Sequence, residues 1–236
     1  MVQHGDTSVR TRDAVLTALI HDLRSPLGAI EIFCEIQASG KESSEDSKTR
    51  SLSMIRMATA KAQLALEDAA ECISIVKGSF HCGKTDSTEI RNLLESVILD
   101  MKEICQRKKV NILPLSGASG VVLTCDVPRV KDMLTCMLQE AVVASSKDGE
   151  VSLITGQTPS GVSITVRSHS PLEDQRAVTR PLDPFGMRGR LGERKPGISR
   201  YCLAVCAKLA DIMGGSFSWV YEPSFNAILH LPFVQR

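Results

Sequence analysis

The chain has 236 residues, more than one average domain and fewer than two comfortable ones. Lys and Arg total 28 against 27 Asp and Glu, a formal net charge of +1, and 43% of residues are hydrophobic, a balance that excludes an electrostatically driven nucleic-acid binder and wholesale disorder. No stretch nears the roughly 18 consecutive apolar residues of a membrane span, and the opening MVQHGDTSVRTRD lacks the apolar core of a signal peptide, so a cytoplasmic chain is expected.

Over residues 10–38, Leu16, Leu19, Leu23, Leu27, Ile30 and Cys34 recur at steps of three or four, the stripe of a long amphipathic helix. Residues 40–47, GKESSEDS, are polar and read as a connection. A second stripe, Leu52, Ile55, Ala62, Leu66, Ala69, Ile73 and Val76, runs to Lys77, with Gly78 where a helix stop belongs. Two such helices form an antiparallel hairpin that buries only part of each stripe. A second copy would complete a four-helix bundle, so a homodimer is expected.

After a linker at 79–87 the pattern becomes mixed. A helix is predicted over 89–107 with Asp86 or Ser87 as cap, then strands over 110–115 and 121–125, and a helix over 128–145. Strands at 150–156 and 161–168 flank a TPSG turn, and a Pro/Gly/Arg-rich loop fills 170–196. A helix over 197–213 stops at Gly214-Gly215 before a closing hairpin of 216–221 and 227–233. The expected fold is α+β: a helical hairpin (1–78), the linker (79–87), and an α/β sandwich with a mixed sheet (88–236).

The eight cysteines show no CxxC pair, and most sit in apolar periodic segments as small hydrophobes. Cys202 and Cys206, one turn apart, could bind a soft metal, but no second pair accompanies them. His4, His81, His169 and His230 show no metal spacing and read as surface or strand histidines.

The informative segment is His21-Asp22-Leu23-Arg24-Ser25-Pro26-Leu27, inside the first helix. Proline there costs about 3 kcal/mol through a lost hydrogen bond and a ring clash, so something must justify it. His21 points off the apolar seam, where imidazole can act as a nucleophile and the carboxylate of Asp22 can orient or deprotonate it. The plain alternative is an exposed histidine beside a surface acid.

HDLRSPL resembles the phosphoacceptor box of the bacterial sensor histidine kinases, and it lies where that family places it. The resemblance implies a dimerisation and histidine-phosphotransfer hairpin followed by a GHKL-like ATP-binding domain. His21 would carry the phosphoryl group, Asp22 would be the adjacent acid, and Ser25 would stand where the family often has a Thr or Asn that assists dephosphorylation. Arg24 would offset phosphoryl charge or form a surface ion pair.

The second half departs from that pattern. Glu140 occupies the place of the magnesium-binding asparagine, Ser168 that of the adenine-recognising aspartate, and Ser170 and Leu172 those of glycines. Asp183-Pro184-Phe185 resembles the phenylalanine box. Ile198, Arg200 and Tyr201 crowd the segment that aligns with the phosphate-cradling glycine loop, where only residues without side chains let backbone amides close on a triphosphate. Arg200 and Tyr201 could equally be surface residues at a helix start.

A kinase-shaped chain with an intact phosphoacceptor turn and a degenerate nucleotide site resembles the kinase-derived histidine phosphotransferases of alphaproteobacterial phosphorelays (ChpT-like). That resemblance implies no cofactor on this chain, with Mg2+ on the partner. The implied partners are response-regulator receiver domains and an upstream hybrid histidine kinase. The receiver footprint would include Gly28, Glu31, Ile32, Met54 and Met57, the two methionines reading alternatively as bundle core. The basic run Arg188, Arg190, Arg194 and Lys195 is a solvated loop or a contact for an acidic partner. A divergent autophosphorylating kinase and a non-catalytic scaffold or anti-sigma-like regulator stay open as alternatives.

Overall fold

The computed structural model describes residues 4–39, 44–117, 120–170, 190–192, 197–221 and 223–233. Two long helices come first, α1 (His4–Ala38) and α2 (Glu45–Lys77), packed along one another. Helix α1 begins six residues before the predicted start and stays helical through Pro26, which is buried. The N–H missing from Pro26 is the one that would have bonded the carbonyl of Asp22, one turn earlier. Helix α2 starts where Ser44 accepts a hydrogen bond from the Ser47 amide at 3.2 Å, with Glu45 and Asp46 in the first turn. It ends at Gly78 (φ 71°), whose N–H closes on the carbonyls of Ser74 and Ile75.

The predicted linker is not wholly a linker. Residues 86–89 form strand β1 (Asp86–Glu89), antiparallel to β4 (Val122–Cys125) with Asp86 opposite Cys125. Asp86 and Ser87 therefore do not cap the next helix, α3 (Ile90–Lys108), whose first position is preceded by Glu89. Helix α4 (Val127–Ala144) is capped by Asp126, which accepts from the Arg129 amide at 3.4 Å, and carries Pro128 in its first turn, where a missing N–H costs nothing.

The main sheet joins β2 (Asn111–Ile112), β3 (Ser116–Gly117), β5 (Glu150–Thr158), β6 (Gly161–Ser168), β7 (Ser216–Val220) and β8 (Asn226–Pro232). Its order is β2-β5-β6-β8-β7, with β2 and β3 both parallel to β5 and the remaining pairs antiparallel, a mixed sheet as expected. Helix α5 (Leu203–Ile212) is shorter than the predicted 197–213. Residues 197–202 are held off the helical path: Gly197 has φ 76°, a Cβ on it would lie 2.7 Å from the Asp100 carbonyl, and the Ser199 hydroxyl donates to the Asp132 carbonyl at 2.7 Å.

One core runs through both halves. Val15 and Ala18 of α1, Ala65, Ala69, Cys72 and Ile75 of α2, Leu203 and Cys206 of α5, and Met133, Leu134 and Met137 of α4 are all buried in it. The leucine stripe read from the sequence is only in part the buried face of α1: Leu19 and Leu23 pack against the core, while the residues most deeply buried are Thr11, Val15, Ala18 and Asp22. Leu16 and Leu27 remain 41% and 53% exposed. Among the described residues no helix is long and apolar enough to cross a membrane.

All eight cysteines are free; Cys34 is exposed, and Cys72, Cys105, Cys125, Cys136, Cys202 and Cys206 are buried. Burial pushes the thiols of Cys125 and Cys202 up to about 12. Since the thiolate is the nucleophile, Cys34 should react first with iodoacetamide at pH 8, and Cys125 and Cys202 only on unfolding, as read by mass spectrometry. The folded chain holds these two thiol protons more tightly than the unfolded chain. Stability should therefore fall as pH rises from about 9 to about 12, measured by urea midpoints.

Candidate functional site

His21 sits in mid-α1 with its side chain 56% exposed, while the neighbouring Asp22 side chain is 5% exposed. The ring Nδ1 lies 2.7 Å from Asp22 Oδ1. A carboxylate at this distance only accepts, so Nδ1 carries the hydrogen and the lone pair of the neutral ring is on Nε2. The other oxygen, Asp22 Oδ2, accepts from the backbone N–H of Leu191 at 3.2 Å. The histidine is open to solvent and its acid is buried and held.

At about 100° per residue, Ser25, Gly28 and Ile32 lie within about 40° of His21 around α1, a strip leading toward the hairpin connection, with Arg24 and Glu31 beside it. Arg24, Ser25, Glu31 and Ile32 are exposed, and a Cβ on Gly28 would meet nothing within 4 Å. On α2, Met54 and Met57 are 39% and 64% exposed, so neither is core within the chain.

The second cluster lies where hairpin and α/β domain meet. Asp68 of α2, 1% exposed, accepts from the Gly192 amide at 2.9 Å and from Arg200 Nη1 at 3.2 Å. Arg200 Nη2 reaches Asp132 of α4 at 2.8 Å and Glu71 of α2 at 3.6 Å. Glu71 also accepts from the hydroxyl of Tyr201 and from Arg129 Nη2 at 2.7 Å. Arg190 is buried with Glu140, to which Nη2 donates, and its Nη1 donates to the Tyr201 carbonyl at 2.7 Å and to Gln139 Oε1 at 3.2 Å.

Two sequence readings are corrected here. Arg200 and Tyr201 are not surface residues at a helix start, since both are buried and tied to α2. Arg190 is not part of a solvated loop. Burial works against its charge, but the Glu140 carboxylate outweighs it and the guanidinium stays protonated. Burial likewise pushes the Asp132 carboxyl up, opposed by Arg200, and pushes the Tyr201 phenol up. Leu172, Asp183, Pro184, Phe185, Arg188, Arg194 and Lys195 lie outside the described residues.

At the end of β6, Ser168 is fully buried: its Oγ lies 2.9 Å from Ser145 Oγ and accepts from the Ser170 amide at 3.3 Å, while Ser170 Oγ accepts from the Ser146 amide at 3.0 Å. This position carries no charge. Of the remaining histidines, His81, His169 and His230 contact Ser79, Ser152 and Thr158. Among the described residues no group of three or more His, Cys, Asp and Glu could hold a metal ion.

Sequence reasoning missed Asp68, Glu71, Arg129 and Asp132. The available signal was two acids, Asp68 and Glu71, bracketing the apolar Ala69 of the α2 stripe. Removing one partner of the Arg190–Glu140 pair strands a buried charge. Glu140→Ala should therefore cost about 3–5 kcal/mol, and the double replacement Arg190→Met/Glu140→Met should recover most of it in urea unfolding.

No protein-family model matches the chain. The sensor protein KdpD of Escherichia coli (strain K12) is 24% identical over 226 residues, covering 95% of this chain and 24% of that protein. The adaptive-response sensory kinase SasA of Synechococcus sp. (strain JA-3-3Ab) is 24% identical over 172 residues, covering 68% of this chain and 43% of that protein. The chain thus spans less than half the length of either relative. Among solved structures, Acinetobacter baumannii histidine kinase AdeS aligns with TM-score 0.55 at 15% identity, over 90% of this chain and 98% of that one. A histidine kinase from Burkholderia phymatum STM815 aligns with TM-score 0.52 at 20% identity, over 98% and 95%. The helical hairpin followed by an α/β domain is a histidine-kinase-like fold, and kinases are among the chain's sequence relatives.

Proposed function

From a histidine-kinase-like fold that places an open histidine beside a buried acid, we propose a histidine phosphotransferase of a multistep two-component phosphorelay. It takes a phosphoryl group from the aspartyl phosphate of one receiver domain onto His21 and passes it to the aspartate of another, without binding ATP. Nε2 of neutral His21 attacks phosphorus in line, and the P–O bond to the donor aspartate breaks, releasing its carboxylate. The ring now carries the phosphoryl group on Nε2 and a hydrogen on Nδ1, a cationic imidazolium that the Asp22 carboxylate stabilises. Transfer onward reverses these steps. Positioning and charge neutralisation dominate such reactions, and Mg2+ in the receiver's acidic pocket supplies the neutralisation.

The observation that carries the reading is the Arg190–Glu140 pair with the buried Tyr201. By the resemblance, Glu140, Arg200 and Tyr201 stand where a kinase holds a Mg-nucleotide. Here Glu140 is matched by a cation of the same chain, Arg200 is committed to Asp68 and Asp132, and the Tyr201 ring is buried. Ser168 offers a neutral hydroxyl where an aspartate would accept from an adenine amino group. These residues do not fit a Mg-nucleotide.

The partners of this reading are receiver domains, docking on His21, Ser25, Gly28 and Ile32 with Met54 and Met57, and an upstream hybrid kinase. A second copy of the chain completes the hairpin. Val9, Leu16, Ile20 and Leu27 are 47%, 41%, 66% and 53% exposed and fall within about 40° of one another around α1, and Leu52 and Leu66 of α2 are 57% and 50% exposed. A cytoplasmic location follows from the receiver partnership.

Purified protein should take no label from radiolabelled ATP and should take it from a phosphorylated receiver, with His21→Ala abolishing transfer. Label from ATP alone would establish a kinase; silence with several receivers would favour a scaffold. Ile20→Glu should convert a dimer to a monomer by light scattering, and an unchanged mass would remove the proposed bundle.

A further inference from the structure

We propose that residues 190–192 form a positioning element for His21, an inference that rests on the phosphotransfer reading. Each of the three residues engages a different helix. The Arg190 side chain is anchored on Glu140 of α4 and on the Tyr201 carbonyl at 2.7 Å. The Leu191 side chain is fully buried, and its N–H donates to Asp22 Oδ2 of α1 at 3.2 Å. The Gly192 N–H donates to Asp68 of α2 at 2.9 Å, with φ at 71° and room for no side chain: a Cβ would lie 2.7 Å from the Lys61 carbonyl and 3.1 Å from the Ala65 Cβ.

Asp22 is therefore gripped from two sides, by the imidazole on Oδ1 and by a backbone amide on Oδ2. A carboxylate held only by the ring could turn with it. One held by a rigid amide sets the ring instead, keeping the hydrogen on Nδ1 and Nε2 outward. Through Arg190, that amide is fixed to the carboxylate at the degenerate nucleotide position. The former nucleotide site thus orients the nucleophile.

The test uses the full chain with Gly192→Ala, which unseats the segment from α2, and Arg190→Lys, which keeps a cation beside Glu140 but loses the fork to Tyr201 and Gln139. Thermal melts followed by circular dichroism establish that each variant folds. Nitrogen-15 spectra of the His21 ring report the tautomer, and single-turnover transfer from a phosphorylated receiver separates maximal rate from half-saturation. Wild type should hold hydrogen on Nδ1. Both variants should gain the Nε2–H form and lose about tenfold or more in maximal rate with half-saturation unchanged. In an Asp22→Asn background, Gly192→Ala should cause no further loss.

The proposal is overturned if a folded variant keeps both the Nδ1–H form and the wild-type rate, or if Gly192→Ala lowers the rate equally with Asn at position 22. Should Gly192→Ala not fold, Arg190→Lys decides by the same readings. If wild type accepts no phosphoryl group at all, the phosphotransfer reading falls, and the nitrogen spectra still decide whether residues 190–192 set the ring.

Discussion

A carboxylate as buried as that of Asp68 survives only if charge and hydrogen bonds are brought to it. Here they come from the far side of the sequence, from Gly192 and Arg200. The joining of hairpin and α/β domain follows from that requirement. Arg200 must cross to α2, so residues 197–202 stay off the helical path between α4 and α2, and α5 begins only at Leu203. Tyr201 is carried along and lands on Glu71. Gly192 must bring its amide within 2.9 Å of Asp68, and only a residue without a side chain does so against the Lys61 carbonyl. The apolar contacts of Ala65, Ala69 and Cys72 then close around a junction whose geometry the ions have set.

The same chemistry recurs on α4. Glu140 is buried on α4, and its neutralising cation, Arg190, belongs to the same chain. A pocket that exchanges a charged ligand with solvent must leave its acids open when empty. A pocket that carries its own counter-ions keeps one arrangement throughout, with the desolvation cost met once, at folding. The exposed histidine and the buried Arg190–Glu140 pair are therefore two ends of one structure, one facing solvent and one facing inward.

Much of this fold is legible in the sequence. The two long helices announce themselves through stripes at steps of three and four, Gly78 marks the end of α2, and β5 and β6 flank a recognisable turn. HDLRSPL stands out because a proline in mid-helix has to be accounted for, while the phosphoacceptor role proposed for it comes from the family resemblance of the seven residues. The junction is not legible, for a physical reason. Asp68 and Arg200 are 132 positions apart and Asp22 and Leu191 are 169 apart, and a charged side chain carries no local mark of whether it will meet water or a distant partner. Strand β1 is hidden because DSTE lacks alternation and is made a strand by pairing with β4. The leucine stripe of α1 is right only in part: Leu19 and Leu23 pack against the core, but Leu16 and Leu27 stay exposed and Val15, Ala18 and the acid Asp22 turn inward, because periodicity identifies an apolar face and cannot say which surface it meets.

The hydroxyls at the end of β6 have a direction built into them. Ser145 is the C-cap of α4, and its single hydroxyl hydrogen goes to the Ala141 carbonyl at 2.8 Å. With that hydrogen used, Ser168 must be the donor in the 2.9 Å contact to Ser145, while the Ser170 amide donates to Ser168 at 3.3 Å. The hydrogens run one way, from the loop after β6 through two side chains into the end of a helix. An aspartate at position 168 could not take part, since it has no hydrogen to hand on and would set its negative charge beside the partial negative charge of the helix terminus. The polarity of this short relay makes serine, rather than a carboxylate, the residue that suits position 168 in this chain.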